Sequence, residues 1–435
     1  MPPDARLRDG ATIRGNGTVG RTDRADVPFE QRGSGGGVTL TVIGVDGGPL
    51  PPGADAALAG AEVVVGAARN LQRLPVPGAA EQLVLGPVEP ALEKLAGRRA
   101  VVLASGDPGF FGIVRLLRER GHEPVVLPAR SSVQLLFARL GRSWDDVAVV
   151  SAHGRDLGPA VNVCRARAAT AVLTGPGAGP SEIGAALDGW ARTLVVAEDL
   201  GGPDERVTSV PAAEAAVRSW HALSVVLCLR PEDPAAAGRG WYAGGEPAPP
   251  PDGWALPDEA FEHRAGMVTK AEVRAVALPR LAPRPGTLVW DVGAGSGSVA
   301  VECARLGAAV LAVERREDDV ARVRANATAH GVEVRVVAGA APAALAALPR
   351  PDAVFVGGGG PEVVAAAAAA GPRRIVVALA ALDRVAPTRA ALTAAGYALG
   401  GVQVAASRLA ELPDGSVRLA ATNPITLVWG EVQER

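Results

Sequence analysis

The chain has 435 residues, 48% of them apolar, which is enough for about three domains with buried cores. Its net charge of −2 provides no bulk field for nucleic acid or an anionic membrane, and no apolar run approaches the roughly 18 residues that span a bilayer. The three cysteines, Cys164, Cys228 and Cys303, lie far apart with no C-x-x-C pair, which excludes a disulfide framework and predicts buried thiols in a reducing cytoplasm.

Residues 1–37 are rich in Arg, Asp and Gly and end in GSGGG. They have neither a 2- nor a 3.6-residue period and carry no apolar signal-peptide core, so a disordered extension is expected. From 38 to 230 short β-branched runs (VTLTVIGV, EVVVG, AVVLAS, PVVLP, VAVVS, TAVLTG, RTLVVAEDL, SVVLCLR) alternate with helix-like segments such as FFGIVRLLRERG, SSVQLLFARLG and SEIGAALDGW. This is an α/β pattern. Residues 231–257 are dense in Pro and Gly and read as an interdomain linker. From 258 to 435 a second α/β series follows. Its strands are LVWDVG, AVLAVE, VRVVAG, DAVFVG and RIVVAL, with helical segments between them, and GGVQVAAS and ITLVWGEV form a terminal hairpin. The series predicts a Rossmann-like, doubly wound sheet with an antiparallel edge strand.

The turn DVGAGSGS places Asp291 at a strand end, followed by Gly293, Gly295, Ser296 and Gly297. A dinucleotide turn needs its third glycine where Ser298 stands, and Asp291 would repel a pyrophosphate, so a nucleotide oxidoreductase is disfavoured. A cationic, phosphate-free ligand such as S-adenosylmethionine suits the carboxylate, and the glycines admit an adenosyl group to the backbone. Glu314, which ends the next strand, is placed to accept ribose hydroxyls.

With those residues in place, GMVTKAEVRAVAL, LVWDVGAGSGSVAVECARLG and PRPDAVFVGGGG, in that order, resemble the decarboxylating methyltransferases of corrin biosynthesis. In the first half VVLASGDPGFFGIVRLL, PARSSVQLLFARLG and WDDVAVVSAHGR resemble the tetrapyrrole C-methyltransferases, specifically the C5-methylating partner in the same pathway. Together the halves resemble the fused family that acts on precorrin-6Y at C5 and C15.

The resemblance implies a two-lobed tetrapyrrole methylase fold in the first half and a class I methyltransferase in the second. It also implies S-adenosylmethionine as cofactor, a reduced precorrin as substrate and loss of the ring C acetate carboxyl. Cofactor contacts are expected at Thr269, Asp291, Gly293, Gly295, Ser296, Gly297, Glu314, Gly339 and Ala340 in the second half, and at Gly106, Asp107, Ser131 and Ser132 in the first. A substrate with many carboxylates calls for cations, and His263, Arg264, Lys270, Arg274 and His153 are the candidates. Thr269 with Glu272 also has the spacing of a helix capping box. Asp352 and the glycines 357–360 are expected at the active site. Four positions depart from the family pattern: Val42 replaces the first glycine of the opening turn, Ala340 stands where an acid is frequent, Ala378 where an Asn is usual, and Asp383 where a Glu is usual. No catalytic base and no metal are expected, and a homo-oligomer is. The competing readings are a methyltransferase for another planar substrate and a degenerate cofactor binder.

Overall fold

The computed structural model describes residues 39–86, 88–231, 243–244 and 252–432. The expected extension and most of the expected linker lie outside the described residues.

The first lobe is a parallel sheet. Its strands are β1 (Leu40–Val45), β2 (Val63–Gly66), β3 (Glu81–Val84), β4 (Ala100–Ser105) and β5 (Val125–Leu127), in the order β3-β2-β4-β1-β5. Successive side chains along a strand face opposite ways, so continuous apolar runs fill two cores. Val42, Val63, Val65 and Val102 lie on one side, and Ile43, Val64, Val101 and Leu103 on the other. Val42 is fully buried among these residues, so its side chain serves the core.

The second lobe is a mixed sheet of β6 (Ala148–Ser151), β7 (Ala169–Leu173), β8 (Thr193–Glu198), β9 (Arg206–Pro211) and β10 (Ser224–Leu229), in the order β6-β7-β10-β8-β9. Only β6 and β7 pair in parallel. Strands β3 and β9 are absent from the sequence expectation. Both are mostly exposed edge strands whose residues mix polar and apolar types.

The second half begins with β11 (Leu288–Val292), β12 (Ala309–Glu314), β13 (Arg335–Ala338), β14 (Ala353–Val356) and β15 (Arg374–Leu379). It ends with β16 (Ala398–Val404), a separate hairpin of β17 (Ser407–Glu411) and β18 (Val417–Ala421), and β19 (Ile425–Glu431). The sheet order is β13-β12-β11-β14-β15-β19-β16. The antiparallel strand is β19, one place in from the edge strand β16.

One expected helix is missing. Between β13 and β14 the chain makes only a 3-10 turn, Ala343–Leu345, because that stretch is short and broken by Pro342 and Pro349. The sheet face carrying Trp290, Leu311 and Val313 is covered in part by helices Pro361–Ala369 and Val385–Ala394. The rest is covered by Leu345 and its neighbours in that turn and by the second lobe, which sends Trp190 into this core and packs Ala166, at the end of helix Leu157–Ala166, against it.

Polar contacts frame that seam. The buried Arg192 donates to Glu333 at 2.7 and 3.0 Å, and Arg230 reaches the same carboxylate at 2.8 Å. Asn162 donates to the Gly286 carbonyl at 3.1 Å, and Arg335 donates to the Asp188 carbonyl at 3.0 Å. The guanidinium groups of Arg165 and Arg192 lie 5.9 and 5.7 Å from the Trp190 ring. Truncating a buried aromatic leaves a cavity, so Trp190→Ala should lower stability by about 3–5 kcal/mol. Urea unfolding read by circular dichroism checks this, and a loss under about 1 kcal/mol would mean that the seam packs weakly.

Candidate functional site

The carboxyl end of β11 turns through Gly293, Gly295 and Gly297, all at positive φ, into helix Ser298–Arg305. A Cβ on Gly293 would lie 2.9 Å from the backbone nitrogen of Gly358, so the turn and the glycine loop after β14 touch through bare backbone. A Cβ on Gly295 would meet nothing within 4 Å, so this glycine faces open space.

Two carboxylates flank the turn. Asp291 is buried against the helix, and its Oδ2 accepts the Ala300 N–H at 3.0 Å. Its Oδ1 is buried with no partner among the described residues. Burial pushes this carboxyl up to about 7; the Ala300 N–H pulls it back down, and the Glu314 carboxylate adds to the rise. Glu314 ends β12. Its Oε2 accepts the Gly295 N–H at 2.9 Å, and its Oε1 accepts the N–H groups of Arg315 and Arg316 at 2.8 and 3.0 Å. The turn therefore joins an unsatisfied acceptor, a fixed carboxylate and an open glycine, an arrangement that fits a ligand with a cation at one end and hydroxyl donors at the other.

Gly339 closes the neighbourhood by donating to the Glu314 carbonyl at 2.9 Å, with the exposed Ala340 following. Ser296 is buried, and its carbonyl accepts from Asn326 Nδ2 at 2.8 Å. The same amide nitrogen donates to the Glu262 carbonyl at 2.9 Å. Asn326 thus ties the glycine turn to the segment before Thr269. Sequence reasoning missed it because a lone Asn inside helix Glu317–Ala329 has no motif to mark it.

The basic segment behaves differently from expectation. Arg274 is fully buried: it pairs with Glu302 and Asp258, both at 3.4 Å, and donates to the carbonyls of Thr269 and Leu256. The ring of Phe261 lies 4.7 Å from its guanidinium carbon. It is a structural cation and cannot meet a substrate. Thr269 caps nothing, since the helix is Ala271–Leu281 with Lys270 at its N-cap position. Glu272, the expected capping partner, instead holds Arg408 of β17 at 2.7 and 2.8 Å. Lys270 lies 3.4 Å from Asp258. Arg264 is exposed, while His263 hydrogen-bonds the Phe261 carbonyl at 2.9 Å.

Asp352 stands at the amino end of β14, where it accepts the Leu288 N–H at 2.7 Å, a full strand length from the turn. The active-site placement expected for it is therefore wrong. The glycines 357–360 do border a cavity of about 300 Å³ at the carboxyl ends of β14 and β15. Ala378–Ala381, Arg384 and Thr388 line its other side.

In the first lobe Gly106, Asp107, Ser131 and Ser132 come together. A Cβ on Gly106 would lie 3.3 Å from the Ser131 Cα, and Ser131 caps helix Ser132–Leu140. Asp107 accepts the Gly109 N–H at 2.8 Å. Beside them Asp46 accepts from the Arg130 side chain at 2.7 Å, and a Cβ on Gly47 would strike the Gly201 carbonyl of the second lobe. His153 lies apart from this group, exposed and bonded to the Thr174 carbonyl at 3.0 Å. Among the described residues no group of three or more His, Cys, Asp and Glu could hold a metal, and no helix is long and apolar enough to cross a membrane.

Two protein families match the chain. A precorrin methyltransferase domain matches residues 259–425, and the tetrapyrrole (corrin/porphyrin) methylases match residues 39–216. The chain is 40% identical over 340 residues to a precorrin-6Y C(5,15)-methyltransferase [decarboxylating] from Sinorhizobium sp, covering 73% of this chain and 78% of the relative. It is 35% identical over 288 residues to the protein of that name from Mycobacterium tuberculosis (strain CDC 1551 / Oshkosh), covering 62% of this chain and 67% of the relative. It is 33% identical over 204 residues to the cobalt-precorrin-7 C(5)-methyltransferase of Salmonella typhimurium, covering 44% of this chain and 98% of that one.

Asp291 also sets a pH dependence. Its folded value near 7 lies above the ordinary 3.8, so between those values the folded protein holds a proton that the unfolded chain has released. This group's contribution to stability therefore falls as pH rises from about 4 to 7. Asp291→Asn should flatten that part of the urea-midpoint profile, and an unchanged profile would place the titration elsewhere.

Proposed function

The chain belongs to the family of decarboxylating precorrin-6Y C5,15-methyltransferases, and on that premise we propose that each half transfers a methyl group from S-adenosylmethionine to one reduced precorrin. The first half takes C5. The second takes C15, with loss of the ring C acetate carboxyl, in cobalamin biosynthesis. The observation that carries this reading is the unsatisfied Asp291 Oδ1 beside the open Gly295 and the Glu314 carboxylate.

S-Adenosylmethionine, when bound, supplies an electrophilic methyl group on a sulfonium. In the second half Asp291 would face its ammonium, Glu314 its ribose hydroxyls, and the backbone of Gly293, Gly295, Ser296, Gly297, Gly339 and Ala340 its adenosyl group, with Thr269 adding a hydroxyl from the loop above. In the first half Gly106, Asp107, Ser131 and Ser132 would form the corresponding pocket.

The chain's own work is positioning. The glycine loop 357–360 lets a planar macrocycle approach the backbone, and the cavity beside it has room for one edge of the ring. A reduced tetrapyrrole carbon conjugated to ring nitrogens is already nucleophilic, so no strong base is needed. His263, Arg264 and Lys270 lie on the segment that Asn326 ties to the turn, where they would meet peripheral carboxylates. Ala378 lines the cavity with a methyl group in the place where the family usually has an amide, which leaves orientation of the acetate to backbone groups and Arg384.

The three cysteines are free and buried, in keeping with a cytoplasmic enzyme. Association of copies is supported by the hairpin β17–β18, which turns Leu409, Val417 and Leu419 to solvent.

Purified protein incubated with labelled S-adenosylmethionine and the reduced precorrin should yield a product with two added methyl groups and one lost carboxyl, read by mass spectrometry. Asp291→Ala should abolish the C15 methylation and the decarboxylation. Cofactor binding without transfer would overturn the enzyme reading.

A further inference from the structure

At the carboxyl end of the first lobe's sheet, β4 finishes in Ser105, immediately before the Gly106-Asp107 turn. Open α/β sheets bind ligands beyond this edge. The helix leaving β2, Ala68–Arg73, brings two polar side chains to the same point. Arg69 Nη2 donates to the Ser105 hydroxyl oxygen at 2.6 Å, and the buried Asn70 Nδ2 approaches the same oxygen at 3.4 Å. That oxygen is thereby saturated as an acceptor, and its own O–H must donate elsewhere. Arg69 keeps further N–H groups and forms no ion pair among the described residues.

Arg69 and Asn70 thus share one neutral acceptor, and the remaining Arg69 N–H groups and the Ser105 O–H are left for a further one. A second guanidinium, on Arg73, lies one helical turn further along. Burial and the Arg73 charge both lower the Arg69 value, and the Asp199 carboxylate of the second lobe opposes them. Asp199 follows β8 at a positive φ of 45°, and its carboxylate accepts the Asp204 N–H at 3.2 Å and makes no hydrogen bond to Arg69 among the described residues. A half-buried guanidinium held in place by a neutral hydroxyl, with repulsion from its own helix, is a receptor for a carboxylate.

We infer that Arg69, Asn70 and Ser105 form a carboxylate-binding site in the cleft between the two lobes, and that it anchors an acetate or propionate arm of the tetrapyrrole taken by the first half. This assignment rests on the function proposed above. The methionine carboxylate of the cofactor has the same chemistry, and the location favours the substrate: Arg69 and Asn70 approach Ser105 from the side of β2, whereas Gly106 packs against Ser131 on the side of β5.

Binding of the reduced precorrin to the full-length protein, followed by tetrapyrrole absorbance, tests this without turnover. The wild type should show two classes of site, one per half. Arg69→Gln should weaken one class by about tenfold, the size of a lost charge-assisted hydrogen bond. Arg69→Lys should restore part of the loss, and S-adenosylmethionine affinity should hold within about twofold, because the anchor touches only the macrocycle. C15 methylation by the other half should be unchanged, which reports that the variant folds. Unchanged tetrapyrrole binding in Arg69→Gln overturns the assignment. So does a fall in cofactor affinity with tetrapyrrole affinity preserved, since the carboxylate would then be the cofactor's. A wild type that binds the tetrapyrrole but transfers no methyl overturns the proposed function alone, and the variant comparison still decides the anchor. A wild type that binds no tetrapyrrole overturns both.

Discussion

An apolar sheet face must be covered, and in the second half of this chain the local sequence covers it only in part. The stretch between β13 and β14 forms a 3-10 turn where a doubly wound fold normally supplies a helix. Trp290, Leu311 and Val313 would then face water on one side of β11 and β12. Helix Leu157–Ala166 and Trp190 of the second lobe fill that space, and the arginines around the indole find carbonyls and the Glu333 carboxylate at its rim. The two halves therefore share a core. The position of the glycine turn depends on it, because β11 leads from this packed region to Asp291.

A second constraint concerns buried charge. Glu302 and Arg274 are both fully buried, and such groups survive only when satisfied by several partners. Glu302 accepts the backbone N–H groups of Ala255 and Leu256, while Arg274 reaches the Leu256 and Thr269 carbonyls. Asp258 joins the group and is shared by Lys270, Arg274 and Arg408. This network fastens the entry segment of the second half across helix Ser298–Arg305 and ties the hairpin β17–β18 to it. Arg274, which looked like part of a substrate face on paper, is used in holding the segment that carries Thr269.

How much of this was legible in the sequence follows from range. The glycine turn, Asp291 and Glu314 were readable because a strand, a turn and the next strand place them together by local geometry. The buried β-branched runs were readable for the same reason. Edge strands β3 and β9 were not, since exposed strands carry no apolar run. Arg274 was misread because its partners, Glu302 and Asp258, come from other parts of the chain, and a basic residue alone does not reveal its own burial. Asp352 was misread because a carboxylate at a strand start and one at a strand end look alike until the register is known. The absent helix was hidden by an Ala-rich stretch with good propensity but too few residues between prolines.

The shared core also changes what the peptide connection between the halves is for. During synthesis it keeps the second half near the first at a high effective concentration, so that Trp190 meets its cavity before other copies intervene. Once the seam has closed, the two catalysts are held by packing and by the Arg192–Glu333 pair. The join still contributes at its end, where the Ala255 and Leu256 N–H groups satisfy the buried Glu302 carboxylate and so fix how the chain enters the second half.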